Sequence, residues 1–419
     1  MTVNNWNISK PTPSILSDHD VYLDGDELKN KKVALMVTGG IAAMKSPLIV
    51  RALRKKGAVV TVFTSKESLK YTTIDALEWS SDNQVISTLT PASEHLNNNQ
   101  PFDVYLIAPA TYNTINKIAC GIADNSVTTA LAVGIGAMEQ GKSQIIITPT
   151  THGMLHNSLL TKSLQRLKKM GAHIIKPRDE DGKHKLPDEK QIVTEVIRTT
   201  SNSPLRNIPL IVTGGPIPSP IDDVRELSNI FTGQLGSIIA VELYKQGADV
   251  ILVQGPKTVQ SPNFLPTITT DTVNDYINTI TLMLTEKQYY AGIFSAAVAD
   301  FQPTTKLSGK ISSSKKISIN FQPTQKLISI IKNQFPDLYM ISFKYEHNIS
   351  HTKLISKVNT RIKEGYPAII ANSGNDKSEM DEQVAYLVTN KSNKTQKAVG
   401  KLSIAKMIIS HLEEQIRSR

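Results

Sequence analysis

The 419-residue chain carries 47 Lys and Arg against 37 Asp and Glu, for a formal net charge of +10, with 40% hydrophobic and 20% charged residues. That length exceeds what one core usually serves, so two domains of about 200 residues each are expected. No stretch approaches the roughly 18 apolar residues of a membrane span, and the basic residues lie in small groups such as Arg54-Lys55-Lys56 rather than along one face, which argues against membrane and nucleic-acid partners.

The N-terminal Met1-Thr2-Val3-Asn4-Asn5-Trp6 lacks a basic region followed by an apolar one, so a cytoplasmic protein is expected, with residues 1–30 as an extension. Cys120 is the only cysteine, which excludes an internal disulfide or a Cys-rich metal site, and no metal-ligand set is legible.

The first domain is expected over 31–197. Lys32 to Val37 is a short apolar run that ends in Thr38-Gly39-Gly40, and a helical pattern continues through Leu53. Gly57 ends that helix, and Val59 to Phe63 supplies the next strand of a βαβ unit. Further buried strands fit Asp103–Ile107 and Gln144–Thr148, which makes an open parallel α/β sheet the economical fold. The polar stretch 198–207, which contains Pro204, reads as a linker to a second domain over 208–419.

That second domain restarts the pattern, with Pro209 to Val212 leading into Thr213-Gly214-Gly215, a helix to about Lys245 and a strand over Val250–Val253. Between the glycine turn and its helix lies an insertion, Pro216 to Thr232, at the end of a first strand where doubly wound sheets bind ligands. Later elements are a buried strand over Tyr290–Ala299, a flexible polar flap over Lys306–Lys316, and a last inner strand at Ile369–Asn372. An edge strand over Val384–Val388 and an amphipathic helix over Lys401–Ile416 complete the set.

Two constellations in the first half carry chemistry. The Gly39-Gly40 turn exposes backbone N–H groups at a helix start, a place for a phosphate. Directly after a buried strand, the row from Ala108 to Asn125 sets small polar side chains beside the sheet edge; Thr111 is either a helix cap or part of a site for a polar ring and sugar phosphate. This row, with Val37 to Ala43, resembles the signature of the flavin-containing cysteine decarboxylase family over residues 31 to about 195.

The resemblance implies a flavodoxin-like fold and bound FMN held by Gly39, Gly40, Ile41, Thr64, Ser65, Ala108, Pro109, Ala110, Thr111, Asn113, Thr114, Asp124 and Asn125. It also implies trimer-based assembly and an active-site histidine at His95. In such chemistry FMN oxidises the thiol to a thioaldehyde, which accepts the electrons released with carbon dioxide, and His95 manages the thiol or a nearby proton.

Two departures from the bacterial pattern resemble archaeal-type members. His152 stands where an asparagine commonly binds the substrate carboxylate, and the flap Asp181-Gly182-Lys183-His184-Lys185-Leu186-Pro187 lacks the usual cysteine, leaving Lys183, His184 or Lys185 as proton donor. Cys120, in the helix after the flavin turn, is expected to be buried and is not a substitute.

In the second half, Gly214-Gly215-Pro216, Pro220 to Asn229, Ala296 to Phe301, Gly309-Lys310-Ile311 and Ala371-Asn372 resemble, in order and spacing, phosphopantothenate-cysteine ligases with a Rossmann-like domain. A carboxylate is a poor electrophile, so such an enzyme makes an acyl-nucleotide from CTP or ATP with Mg²⁺ before the amine of cysteine attacks. The resemblance places Gly214 and Gly215 on the triphosphate and Lys310 as its catalytic cation. It places Asn229 on the acyl-nucleotide, Arg225 on 4′-phosphopantothenate, and Asp300 on the nucleotide or its Mg²⁺, with paired ligase domains. Gln234 replaces a usual lysine, so one positive charge is lost near the helix start.

The expectation is thus a fused α/β enzyme of coenzyme A biosynthesis. The rivals are a non-catalytic regulatory relative that keeps the flavin fold, and a flavin-dependent decarboxylase of peptide C-terminal cysteines.

Overall fold

The computed structural model describes residues 8–418 except 313–315, 375 and 391; the first seven residues and Ser313-Ser314-Lys315 of the expected flap lie outside the described residues. The chain divides into two compact units, Met1–Thr200 and Ser201–Arg419.

In the first unit, β1 (Lys32–Val37), β2 (Val59–Thr64), β3 (Val104–Ala110), β4 (Gln144–Pro149) and β6 (His173–Ile174) form one sheet in the order β2-β1-β3-β4-β6. Every pairing in it is parallel. This is the flavodoxin-like doubly wound order, with its switch point between β1 and β3.

Such strands are covered on both faces and so read as continuous apolar runs. Val33, Leu35 and Val37 face α1 (Ser46–Arg54) and α6 (Glu189–Thr200), whereas Ala34 and Met36 face α3 (Tyr112–Ala119), α4 (Ser126–Glu139) and α5 (Ser158–Met170). A small antiparallel sheet, β5 (Thr151–His152), β8 (Lys183–Lys185) and β7 (Arg178–Glu180), stands beside the carboxyl ends of the main strands.

Helix α4 approaches β3 through Gly134, where a Cβ would lie 2.8 Å from Tyr105 Cγ and 2.9 Å from both Cδ atoms of that fully buried ring. Gly134→Ala is therefore expected to destabilise the unit by about 1–3 kcal/mol through overpacking. Gly136→Ala, two residues on with open space around it, should instead stabilise by up to ~1 kcal/mol through helix propensity. Opposite shifts of the denaturation midpoint would confirm that contact with the ring, and not glycine as such, decides the sign.

The second unit holds an eight-stranded sheet ordered β14-β13-β9-β15-β19-β20-β21-β22. Its strands are β9 (Pro209–Gly214), β13 (Asp249–Gln254), β14 (Thr267–Thr269), β15 (Ala291–Phe294), β19 (Tyr339–Glu346), β20 (Ala368–Ser373), β21 (Val384–Thr389) and β22 (Ser392–Val399). The first six are parallel in the Rossmann order, switching direction between β9 and β15, and the last two add antiparallel. Helices α7 (Gln234–Lys245) and α11 (Lys401–Arg417) cover one face; α8 (Val273–Glu286), α9 (Leu327–Gln334) and α10 (His351–Lys363) cover the other.

Several boundaries differ from the sequence expectations. The extension 1–30 is not all peripheral. Leu28 is fully buried in the first core and the amides of Asp24 and Leu28 bond to Lys55 and Lys56 carbonyls, so the fold starts before Lys31. The linker 198–207 is not a free tether: α6 runs through Thr200, and Leu205 is fully buried in the second core. Burying one leucine is worth about 1.5–3 kcal/mol, enough to fasten a polar segment.

The strand expected over Tyr290–Ala299 stops at Phe294, because Ala297–Val298 (β16) leaves the sheet to pair with Pro216–Ile217 (β10). The strand over Val384–Val388 is interior; β22, polar enough to escape notice, holds the edge. Cys120 is exposed, since it caps α3 one residue beyond the buried Ile118 and Ala119.

Candidate active sites

A cavity of about 860 Å³ opens at the carboxyl ends of the strands in the first unit, within the range that encloses a cofactor-sized ligand. Gly39, Gly40, Ile41, Ser65, Thr111, Asn113, Thr114, Asn125 and His152 all line it. Gly40 precedes the helical turn Ile41–Lys45 with extended backbone and no side-chain cap, so the first amides of that turn face the cavity uncapped by a side chain. Thr38 Oγ1 donates to Pro109 O (2.7 Å), and the Thr111 hydroxyl lies 3.2 Å from Thr38 Oγ1 and 3.3 Å from Thr114 Oγ1. Thr111 is the residue before α3, but its side chain makes no cap; it turns along the cavity rim instead.

Other expected residues lie behind the wall or elsewhere, and Asp124 and the lining Asn125 are engaged within the fold. Ala108, Pro109 and Ala110 are buried in β3 and shape the strand end, and Thr64 is buried at the end of β2. Asp124 binds Lys117 (2.5 Å), and Asn125 caps α4 reciprocally with Thr128. His95 is not among the lining residues; it sits on the turn Glu94–Asn99 with its Nδ1 buried and unpartnered.

The sequence reading missed Lys45, Lys66, Tyr71, Lys117 and Arg178, all of which line the cavity. Lys117 and Arg178 have carboxylate partners, and Lys185 binds Glu180 (3.1 Å) and Asp181 (2.7 Å). Lys45, Lys66 and Lys183 have no ion-pair partner among the described residues, which leaves three cations for anionic ligand groups. With Ile41, Met44, Tyr71, Val127 and Leu155 as an apolar wall and a glycine cradle, these residues fit a flavin with a phosphate tail.

In the second unit the site forms at the corresponding switch point. Gly214 ends β9, and a Cβ on Gly236 would fall 2.8 Å from Gly214 Cα, so strand end and helix start meet backbone to backbone. Gly215 (φ +75°) turns the chain into β10, and Gly233 opens α7 with no side-chain cap. Asn229 donates both amide hydrogens, to Ala297 O (3.0 Å) and Val298 O (3.1 Å), leaving Oδ1 as the atom that can face a ligand. Asp300 carries an ion pair with Lys326. Lys401 Nζ donates to Gln234 Oε1 (2.6 Å), which returns a positive charge to the start of α7 where Gln234 had removed one.

Arg225 and Lys310 belong to one web. Buried Asp222 accepts from the amides of Val224 (2.8 Å), Arg225 (2.6 Å) and Ile311 (3.1 Å) and from Arg225 Nη1 (2.6 Å). Burial pushes its pKa up, but those four donors together outweigh it and hold the carboxyl well below the usual carboxylate range. Lys306 beside Asp223, with the Gly309 amide, lowers that carboxyl too. The described part of the expected flap is therefore pinned: Leu307, Gly309 and Ile311 all bond back to residues 221–223. Among the described residues no group of three or more His, Cys, Asp or Glu side chains could hold a metal ion, and no helix is long and apolar enough to cross a membrane.

The flavoprotein family matches residues 22–201, and the DNA/pantothenate metabolism flavoprotein C-terminal domain matches residues 205–416. The coenzyme A biosynthesis bifunctional protein CoaBC of Thermococcus kodakarensis is 32% identical over 354 residues, covering 83% of this chain and 86% of that protein. The chain belongs to the CoaBC family.

The CoaBC protein of Methanocaldococcus jannaschii is 30% identical over 398 residues, 93% of this chain and 95% of that one. Both relatives are archaeal, as the His152 and flap departures led one to expect. A crystal structure of a CoaBC C-terminal domain aligns at 21% identity and a TM-score of 0.43, covering 51% of this chain and 98% of that one. The chain is accordingly a bifunctional decarboxylase and ligase of coenzyme A biosynthesis with a flavin-binding N-terminal half. Neither a regulatory relative nor a decarboxylase of peptide cysteines accounts for the matched second half.

Proposed function

We propose that the second unit condenses 4′-phosphopantothenate with cysteine at the expense of a nucleoside triphosphate, and that the first converts the product to 4′-phosphopantetheine. The observation that carries this reading is that the glycine turns Gly39-Gly40 and Gly214-Gly215 each stand at the carboxyl-end switch point of their own sheet. In the ligase reading, Gly214, Gly215 and the open start of α7 receive the triphosphate of CTP or ATP bound with Mg²⁺, while Lys310 and Lys401 offset its charge. Pyrophosphate leaves as the substrate carboxylate joins the α-phosphorus; the amine of cysteine then displaces the nucleotide. Asn229 Oδ1 faces the acyl-nucleotide, Arg225 faces 4′-phosphopantothenate, and Asp300 exchanges Lys326 for the nucleotide or its Mg²⁺.

In the decarboxylase reading, the residues of the first cavity would hold FMN, Gly39 and Gly40 suiting its phosphate and the apolar wall its ring. Bound FMN supplies a two-electron oxidation of the thiolate carbon and returns the same two electrons as hydride after carbon dioxide has left. His152 and the unpaired lysines hold the substrate carboxylate and phosphate. His95 reaches this chemistry from a neighbouring copy in a trimer-based homo-oligomer, since it does not line its own cavity. Ile41, Met44 and Leu155 are between 50% and 60% exposed along the cavity mouth, an apolar rim suited to such packing. Ligase domains pair with one another in the same assembly, in the cytoplasm.

FMN-loaded protein given 4′-phosphopantothenate, cysteine and CTP or ATP with Mg²⁺ should release pyrophosphate, then carbon dioxide, and form 4′-phosphopantetheine. Protein that binds no FMN, or that releases no pyrophosphate with either nucleotide, would refute the corresponding half.

A further inference from the structure

The flap that lacks the usual cysteine is the hairpin β7–β8, turned at Asp181 and Gly182 in left-handed conformations (φ +54° and +68°). Its antiparallel register sets Asp179 directly opposite His184, and the Asp179 carboxylate hydrogen-bonds His184 Nδ1. On its other edge β8 pairs with β5, which puts His184 opposite Thr151 and Lys183 opposite His152. The His184 ring lies 4.6 Å, centroid to centroid, from the ring of His156, and His184 lines the flavin cavity together with His152.

Of the three flap side chains that could move a proton, Lys185 is committed to Glu180 and Asp181. Lys183 lies opposite Glu180 but has no ion-pair partner among the described residues, and it suits the binding of an anion. His184 alone is both on the cavity wall and fixed through one ring nitrogen by a carboxylate, the arrangement that leaves the other nitrogen to carry a transferable proton.

Resting on the decarboxylase reading, the geometry points to His184 as the acid that protonates the decarboxylated substrate, with Asp179 as its positioning residue. Loss of carbon dioxide from the thioaldehyde leaves an enethiolate, –NH–CH=CH–S⁻. The imidazolium of His184 gives its proton to the carbon next to nitrogen, forming –NH–CH₂–CH=S and neutral imidazole. A bound reduced flavin would supply the hydride that the carbon bearing sulfur then needs, and the thiolate so formed would take its proton from water. Asp179 stabilises the imidazolium and holds its ring orientation.

The test is anaerobic mixing of FMN-loaded native, His184→Asn and Asp179→Asn proteins with phosphopantothenoylcysteine, following carbon dioxide, product mass and flavin absorbance. FMN affinity, from fluorescence quenching, monitors folding. H184N should bind FMN and release a first turnover of carbon dioxide as native protein does, yet form 4′-phosphopantetheine about 10²-fold more slowly. The product lighter by one H₂ should accumulate, and the flavin should stay reduced. D179N should show the same signature more weakly, through kcat with KM unchanged, and D179E should reverse it. Native partition between the two products in H184N, or equal loss of carbon dioxide and 4′-phosphopantetheine, would overturn the assignment. Native protein that releases no carbon dioxide would instead refute the decarboxylase reading itself, and this inference with it.

Discussion

His95→Asn is expected to lower formation of 4′-phosphopantetheine from phosphopantothenoylcysteine by about 10²–10⁴-fold, the span over which a positioned proton-transfer group acts. Asparagine keeps much of the volume and hydrogen-bonding capacity of histidine but cannot relay a proton. Pyrophosphate release should be unchanged, because ligation resides in a separate compact unit with its own core. Loss of both activities would show that His95 is structural. The neighbouring Glu94 is tied to Thr90, whose hydroxyl and amide hold the Glu94 carboxyl below its ordinary range. Since His95 does not line its own cavity, mixing H95N with a cavity variant such as Gly40→Val should restore decarboxylation in mixed oligomers. At Gly40 even a Cβ would come within 3.3 Å of Thr111. No recovery on mixing would refute the contribution of His95 by a neighbouring copy.

Lys310→Gln is expected to slow nucleotide-dependent pyrophosphate release by about 10²–10³-fold while decarboxylation of added phosphopantothenoylcysteine continues, because a cation aimed at developing phosphate charge acts chiefly in the transition state. The structure gives a specific reason to single out this exposed lysine. The amide before it, Gly309 N, donates to Asp223 Oδ2 (2.8 Å), and the amide after it, Ile311 N, donates to Asp222 Oδ2 (3.1 Å). Lys310 is thus carried between two anchored points, with an exposed side chain on a fastened backbone. If K310Q raises only the KM for nucleotide and leaves kcat intact, the lysine contributes ground-state attraction alone.

Much of the site was legible from local sequence because phosphate chemistry needs glycine. Only residues without a Cβ permit the contact between Gly214 and Gly236, and a strand ending in Gly-Gly marks the turn in each half. The polar row after β3 was equally visible, since Thr111, Asn113 and Thr114 follow one another at a helix start. The cations were not: Lys45, Lys66 and Arg178 come from three separate segments and look like ordinary surface until the fold gathers them. The same holds for Lys401, which is 167 residues from its hydrogen-bond partner Gln234. A charge that seemed lost from the motif was supplied by an unrelated helix.

The sequence by itself determined the two α/β units, their buried strands and the glycine turns, because those follow from short-range periodicity and from steric limits on single residues. It did not determine where small-residue runs leave a sheet. Ser295 to Val298 reads as more of β15, yet Ser295 Oγ donates to Thr213 O (2.5 Å) and β16 crosses to β10, a choice made by partners some 80 residues away. The polar strand β22 is likewise recognisable only by its pairing with β21. Tertiary structure alone also distinguishes the three flap side chains: register puts Asp179 opposite His184, where its carboxylate bonds Nδ1, and Glu180 opposite Lys183, but the Glu180 carboxylate pairs with Arg178 and Lys185 instead, and register is set by the turn at Asp181-Gly182 and by pairing with β5.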